Sequence, residues 1–146
     1  MFMEQAIEEA RKAEAIGEVP IGAILVYRHE IIARSGNRIV RDFDPTAHAE
    51  ISVLREAGEK LKTPRLVECD FYTTLEPCPM CAQALSFARI RRLYFGAYDP
   101  KGGGIDHGPQ IFNQKTCHHK PEIYGGIMEK ACSHLLSQFF QSKRVL

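Results

Sequence analysis

The chain has 146 residues, enough for one domain with a core of its own and no need of disulfide staples. Hydrophobic residues make up 45% and charged residues 25%, which excludes a disordered acidic or basic tail and a bundle of membrane spans. The formal net charge is +1, so attraction to a polyanion has to come from a local patch and not from the molecule as a whole.

The amino terminus, MFMEQAIEEARKAEAIGE, carries Met3, Ala6, Ile7, Ala10 and Ala13 at helical spacing, with Gly17 as a stop. It is amphipathic and acidic, unlike a signal peptide, and no apolar run approaches the roughly 20 residues of a membrane span. IGAILVY (21–27) and IIARSGNR (31–38) read as a hairpin turned by RHE. DPTAHAEISVLREAGEKLK leads into a second helix through Pro45 and Thr46, and Thr63-Pro64 ends it. ECDFYTTL (68–75) is a strand, Pro77 opens a third helix, and RRLYFGAYD (91–99) is the next strand. PKGGGIDHGPQ (100–110) is a long loop, and long loops in compact domains are usually functional. PEIYGG supplies a short last strand before a final helix. Strands alternating with helices over 31–99 indicate parallel crossovers, hence a sheet of about five strands sandwiched between helices.

Five cysteines at irregular spacing argue against a disulfide framework and for a reducing compartment. Cys69, Cys117 and Cys132 read as small buried hydrophobes. Cys78 and Cys81 are different. They fall in the first turn of the third helix, where backbone N–H groups and the helix dipole stabilise thiolates. A lone C-x-x-C suits a redox pair as well as a metal. AHAE adds His48 and Glu50 at the start of the second helix. Both helices follow strands of the proposed parallel sheet, so both begin at the carboxyl edge where such sheets bind ligands. One His and two Cys make three ligands, the number that leaves a catalytic zinc its fourth position for water. His118 or His119 as a fourth ligand would make the site structural instead. Glu50 beside such a centre is a candidate proton carrier, suited to hydrolytic attack on an electrophilic carbon.

His-Ala-Glu followed by Pro-Cys-x-x-Cys resembles the signature of the zinc-dependent nucleobase deaminases. GEVPIGAILV, GNR, DPTAHAEI, TLEPCPMCA, RIRRLYFGAYDPKGG and LLSQFF extend the resemblance over nearly the whole chain, to the bacterial tRNA-specific adenosine deaminases. The resemblance implies a cytidine-deaminase-like three-layer α/β/α sandwich with a roughly five-stranded mixed sheet over 1–146, and one zinc per chain on His48, Cys78 and Cys81. It implies hydrolytic conversion of a wobble adenosine to inosine in a tRNA anticodon, chiefly of an arginine tRNA, by zinc-activated water with Glu50 as proton shuttle. Asn37 matches the residue that hydrogen-bonds the target base, and the Ala49 N–H faces that base. Ile21, Pro77, Asp99 and Lys101 complete the expected substrate-binding set. A homodimer in the cytoplasm is implied, with an anticodon stem-loop as partner and no DNA or membrane.

The chemistry alone also fits a deaminase of free guanine, cytosine or a nucleotide. PCPMC occurs in guanine deaminases. Arg89, Arg91 and Arg92, then His118, His119 and Lys120, then Lys143 and Arg144, are the basic groups available to RNA. Tyr98 stands where some relatives carry Arg. Phe139 and Phe140 read mostly as core by helical spacing, with a solvent-facing ring that touches an anticodon loop as the lesser alternative.

Overall fold

The stripe Met3, Ala6, Ile7, Ala10 and Ala13 is the buried face of α1 (Phe2–Ala15). In the computed structural model, which describes residues 1–144 with the side chain of Arg144 excepted, α1 lies on a hairpin. Its strands are β1 (Gly22–Tyr27) and β2 (Glu30–Gly36). Arg28 and His29, at φ +50° and +64°, make the two-residue turn between them. Left-handed backbone at both turn positions matches the twist of the flanking strands. Gly22 and Gly36 face each other across the ladder, directly under α1. A Cβ at Gly22 would overlap the backbone of Ala6 and Ala10, so the missing side chain is what lets the helix approach.

Next come α2 (Ala49–Leu61), β3 (Cys69–Leu75), α3 (Pro79–Phe87) and β4 (Arg92–Ala97). A 3₁₀ turn (Ile111–Asn113), β5 (Glu122–Tyr124) and α4 (Glu129–Arg144) complete the order. The sheet runs β2-β1-β3-β4-β5. β3 pairs in parallel with β4, and β4 with β5, while β1 runs antiparallel to both of its neighbours. This is a five-stranded mixed sheet in a three-layer α/β/α sandwich of the expected kind.

Alternation along the strands divides the core into two clusters. Leu25, Phe71, Leu93 and Phe95 point to one side and pack with Val53 and Ala57 of α2 and Ala82 and Leu85 of α3. Ile24 and Val26 point to the other, against Met3 and Ile7 of α1, in a cluster that includes Cys132 of α4. Each fully buried Phe or Leu stabilises the fold by about 1.5–3 kcal/mol relative to exposure. Gly96 does for α4 what Gly22 does for α1, because a Cβ there would meet the Cys132 sulfur. Cys69 and Cys132 are buried as expected, whereas Cys117 is half-buried. Among the described residues, no helix is long and apolar enough to cross a membrane.

Two boundaries differ from the sequence reading. The second helix begins at Ala49, not at Pro45 or Thr46, because Asp44 Oδ1 accepts both the N–H and the hydroxyl of Thr46 and holds 44–46 as a turn. The third begins at Pro79, not Pro77, with Cys78 as its N-cap. Both corrections move metal-binding candidates from inside a helix to its cap. The 3₁₀ turn is an element the local pattern did not suggest.

Candidate active site

β3 and β4 deliver the chain to one edge of the sheet, and α2 and α3 both begin there. His48 caps α2 in extended conformation, with φ −65° and ψ 154°. Its imidazole makes no capping hydrogen bond and turns toward α3. Cys78 caps α3 with φ −69° and ψ 170°, and its sulfur accepts the Cys81 N–H at 3.5 Å. Pro79 follows at a first-turn position where its missing N–H costs nothing.

His48 Nδ1 lies 3.6 Å from Cys78 Sγ and 3.5 Å from Cys81 Sγ, and the three donor atoms all lie within 4.8 Å of one another. A tetrahedral zinc with Zn–S about 2.3 Å and Zn–N about 2.0 Å holds S and N donors about 3.5 Å apart. The three residues therefore fit zinc in identity, number and spacing. Among the described residues, no fourth His, Cys, Asp or Glu joins the group. His119 is engaged elsewhere, with Nε2 against the Ile90 carbonyl, and the His118 carbonyl accepts from Arg89.

The electrostatics suit a metal-binding thiolate. The neighbouring Cys81, helped by His48 and the Cys81 N–H, draws the Cys78 thiol down to about 4 against the opposing effect of burial. Cys81 moves up, held by Cys78 and by burial, and His48 moves up through its contact with Cys78. Glu50, only 4% exposed, is pushed up to about 7 by burial. A carboxyl at that value both takes and gives protons near neutrality. Behind it on β3, the buried Thr73 hydroxyl has no hydrogen-bond partner among the described residues.

A cavity of about 240 Å³ opens at this edge. His48, Ala49, Glu50 and Cys78 line it, together with Ile21, Asn37 and Asp99. Glu50 shares it with His48 because the cap residue is extended. Inside a regular helix, a two-residue step would have separated them. Ala49 is the first residue of α2, and a first-turn N–H has no partner within its helix. Asn37 is 5% exposed, and its N–H donates to the Ile21 carbonyl at 3.0 Å. Cys81 lies beneath the cavity, wholly buried, while Pro77 and Lys101 do not line it.

The sequence reading missed Val19, Ile39, Leu75, Glu76 and Gly102, which complete the wall. The apolar ones carry no signal beyond that of any strand or loop residue. For Glu76, burial alone would raise the carboxyl, but hydrogen bonds from Asp99, His107 and Ile105 outweigh it and hold the group below its ordinary value.

The basic groups proposed for RNA lie away from this mouth or are engaged. Arg91 pairs bidentately with Asp70 at 2.9 and 3.0 Å, Arg92 pairs with Glu122, and both sit at the opposite end of β4. Arg89 donates to the His118 carbonyl. Lys143 lies over the Phe139 ring, and the Arg144 side chain is outside the described residues. Tyr98 packs edge-on to Phe95 and keeps partial exposure. Phe139 is buried and Phe140 exposed.

Residues 1–97 match the family described as the cytidine and deoxycytidylate deaminase zinc-binding region. The chain is 56% identical to the tRNA-specific adenosine deaminase of Agrobacterium fabrum, over 99% of this chain and 95% of that protein. It is 44% identical to the protein of that name from Bacillus subtilis, over 99% and 89%. A solved structure from a study of A-to-I editing by tRNA deaminases at the wobble position superposes with a TM-score of 0.91. The identity there is 56%, over 92% of this chain and 98% of that one. Guanine deaminase from Bacillus subtilis is more distant, at 28% identity and a TM-score of 0.66 over 99% and 92%.

Proposed function

The chain belongs to the tRNA-specific adenosine deaminase family, and on that premise we propose that it converts the wobble adenosine of a tRNA anticodon, chiefly that of an arginine tRNA, to inosine. The observation that carries the chemistry is the opening of Glu50 and Asn37 into the same cavity as His48 and Cys78. His48, Cys78 and Cys81 hold the zinc. When bound, the ion supplies a Lewis acid that makes water a nucleophile near neutral pH.

The remaining steps belong to side chains of this protein. The target base leaves its stack and enters the cavity. The Asn37 side chain and the Ala49 N–H orient the purine, and the apolar walls of Ile21 and Leu75 exclude solvent. Glu50 takes a proton from the attacking water and gives it to ring nitrogen 1 as carbon 6 becomes tetrahedral. Glu50 then takes the proton of the new hydroxyl on carbon 6 and delivers it to the amino group, so that the carbonyl forms as the carbon–nitrogen bond breaks and ammonia leaves. Asp99 in the cavity wall and the exposed Lys101 two residues on are the groups to meet flanking nucleotides.

The expected result is inosine in an anticodon stem-loop carrying a wobble adenosine, with free adenosine, guanine and cytosine left unchanged. Mass spectrometry of digested RNA reads the product. Turnover of a free base with the stem-loop untouched would keep the site and move the substrate to small molecules. We propose the cytoplasm as the site of this work, in keeping with a tRNA substrate.

We also propose a homodimer. Met80, Ala84 and Phe87 recur at four- and three-residue steps on the outer side of α3, and Phe87 is 71% exposed. An apolar stripe of this kind marks an interface. Phe87→Glu is expected to shift the sedimentation mass from dimer to monomer; an unchanged dimer would place the interface elsewhere.

A further inference from the structure

Glu76 stands between β3 and Pro77, with its side chain wholly inside the protein. A carboxylate there is costly unless it is hydrogen-bonded. Oε1 accepts the Asp99 N–H at 3.0 Å and meets His107 Nδ1 at 2.8 Å. Oε2 accepts the N–H groups of Ile105, Asp106 and His107 at 3.1, 3.0 and 3.1 Å. All of these donors come from one segment, 99–107. With three consecutive glycines and no apolar stripe, that segment has no shape of its own to fall back on. It forms neither helix nor strand. Gly103 passes so close that a Cβ would overlap the carboxylate, and the Gly104 N–H donates to the Pro77 carbonyl at 2.7 Å. The same segment supplies Asp99 and Gly102 to the cavity wall.

We propose that Glu76 is a positioning residue whose carboxylate folds residues 99–107 into the rim that receives RNA beside the target nucleotide. The role in RNA binding rests on the editing activity proposed above. Consecutive backbone N–H groups converging on one oxygen form an anion nest, and here the protein supplies the anion itself. A carboxylate offers about four lone-pair sites, and the donors from this loop already fill them. Glu76 therefore has no capacity left to exchange protons with a substrate. None of its hydrogen bonds reaches His48, Cys78 or Cys81, so it does not brace the metal ligands directly.

Glu76→Gln keeps the shape but presents an NH₂ group to backbone donors. The expected result on the stem-loop is a fall in kcat/KM of about 100-fold, carried by KM, with kcat near that of the wild type. Zinc stays at one per chain, and trypsin cuts faster after the exposed Lys101. His107→Ala removes one contact and is expected to move KM and cleavage the same way by less; it decides the matter if Glu76→Gln does not fold. Unchanged KM and unchanged cleavage would overturn the proposal. So would loss of zinc with the rim still protected, which would assign Glu76 to the metal site. Should the wild type edit no RNA, the editing reading falls by itself, and cleavage after Lys101 still decides whether Glu76 folds this segment.

Discussion

Glu50→Ala is expected to keep one zinc per chain and a native fold while kcat on the stem-loop falls by about 10²- to 10⁴-fold, the range for removing a general acid–base group. The basis is position. Glu50 lies in the cavity wall two residues from His48, buried, and it is not one of the three donors grouped for the metal. Its proposed work is to move protons between water, ring and leaving group, so its loss acts on turnover and leaves KM near its wild-type value. Glu50→Gln is the sharper variant. It preserves volume and a hydrogen-bonding carbonyl but cannot carry a proton, so it should be nearly as impaired as alanine. Activity close to wild type in Glu50→Gln would show that the group orients the substrate instead. Metal analysis and circular dichroism on the same samples separate both outcomes from misfolding.

Local pattern revealed what depends on local pattern. The α1 stripe, the hairpin and the strand alternation follow from spacings of two, three and four residues, and the structure keeps them. The metal group was legible because two short motifs each follow a strand, and the strand–helix alternation implies that β2 and β3 run the same way and deliver both to one edge of the mixed sheet. Where helices begin was less legible. The capping roles of His48 and Cys78 arise from the turn at Asp44 and from the extended backbone of Cys78, which overrule the preference of Pro45 and Pro77 for a first turn. Long-range pairing was not legible at all. Nothing around Arg91 announces Asp70, 21 residues away, and nothing around Glu76 announces His107, 31 residues away. The arginine cluster thus reads in sequence as an RNA patch and in three dimensions as a set of internal pairs. A Glu before Pro-Cys likewise reads as an ordinary loop residue until the loop it gathers is seen.

The second large effect concerns the metal ligands. Cys78→Ala is expected to lose zinc and activity together, whereas Glu50→Ala loses activity alone. Removing one donor of three leaves a two-ligand site. Because changes to groups that merely support a ligand already cost 10- to 100-fold in affinity, the loss should exceed about 100-fold. Zinc binds the folded chain and not the unfolded one, so it adds about 4 kcal/mol of stability at a thousandfold excess over Kd. For a chain of this size, chelation should then lower the Tm of the wild type by about 10 °C. The same chelator should leave the Tm of Cys78→Ala where it was, since that variant has no metal to give up. Cys81 lies beneath the cavity and serves as core as well as donor, so Cys81→Ala should fall below chelated wild type by a further cavity cost. Full zinc content in Cys78→Ala would break the three-ligand centre, and with it the distinction between these two residues and Glu50. A wild-type Tm unmoved by complete metal removal would instead show that the caps of α2 and α3 hold the site without the ion.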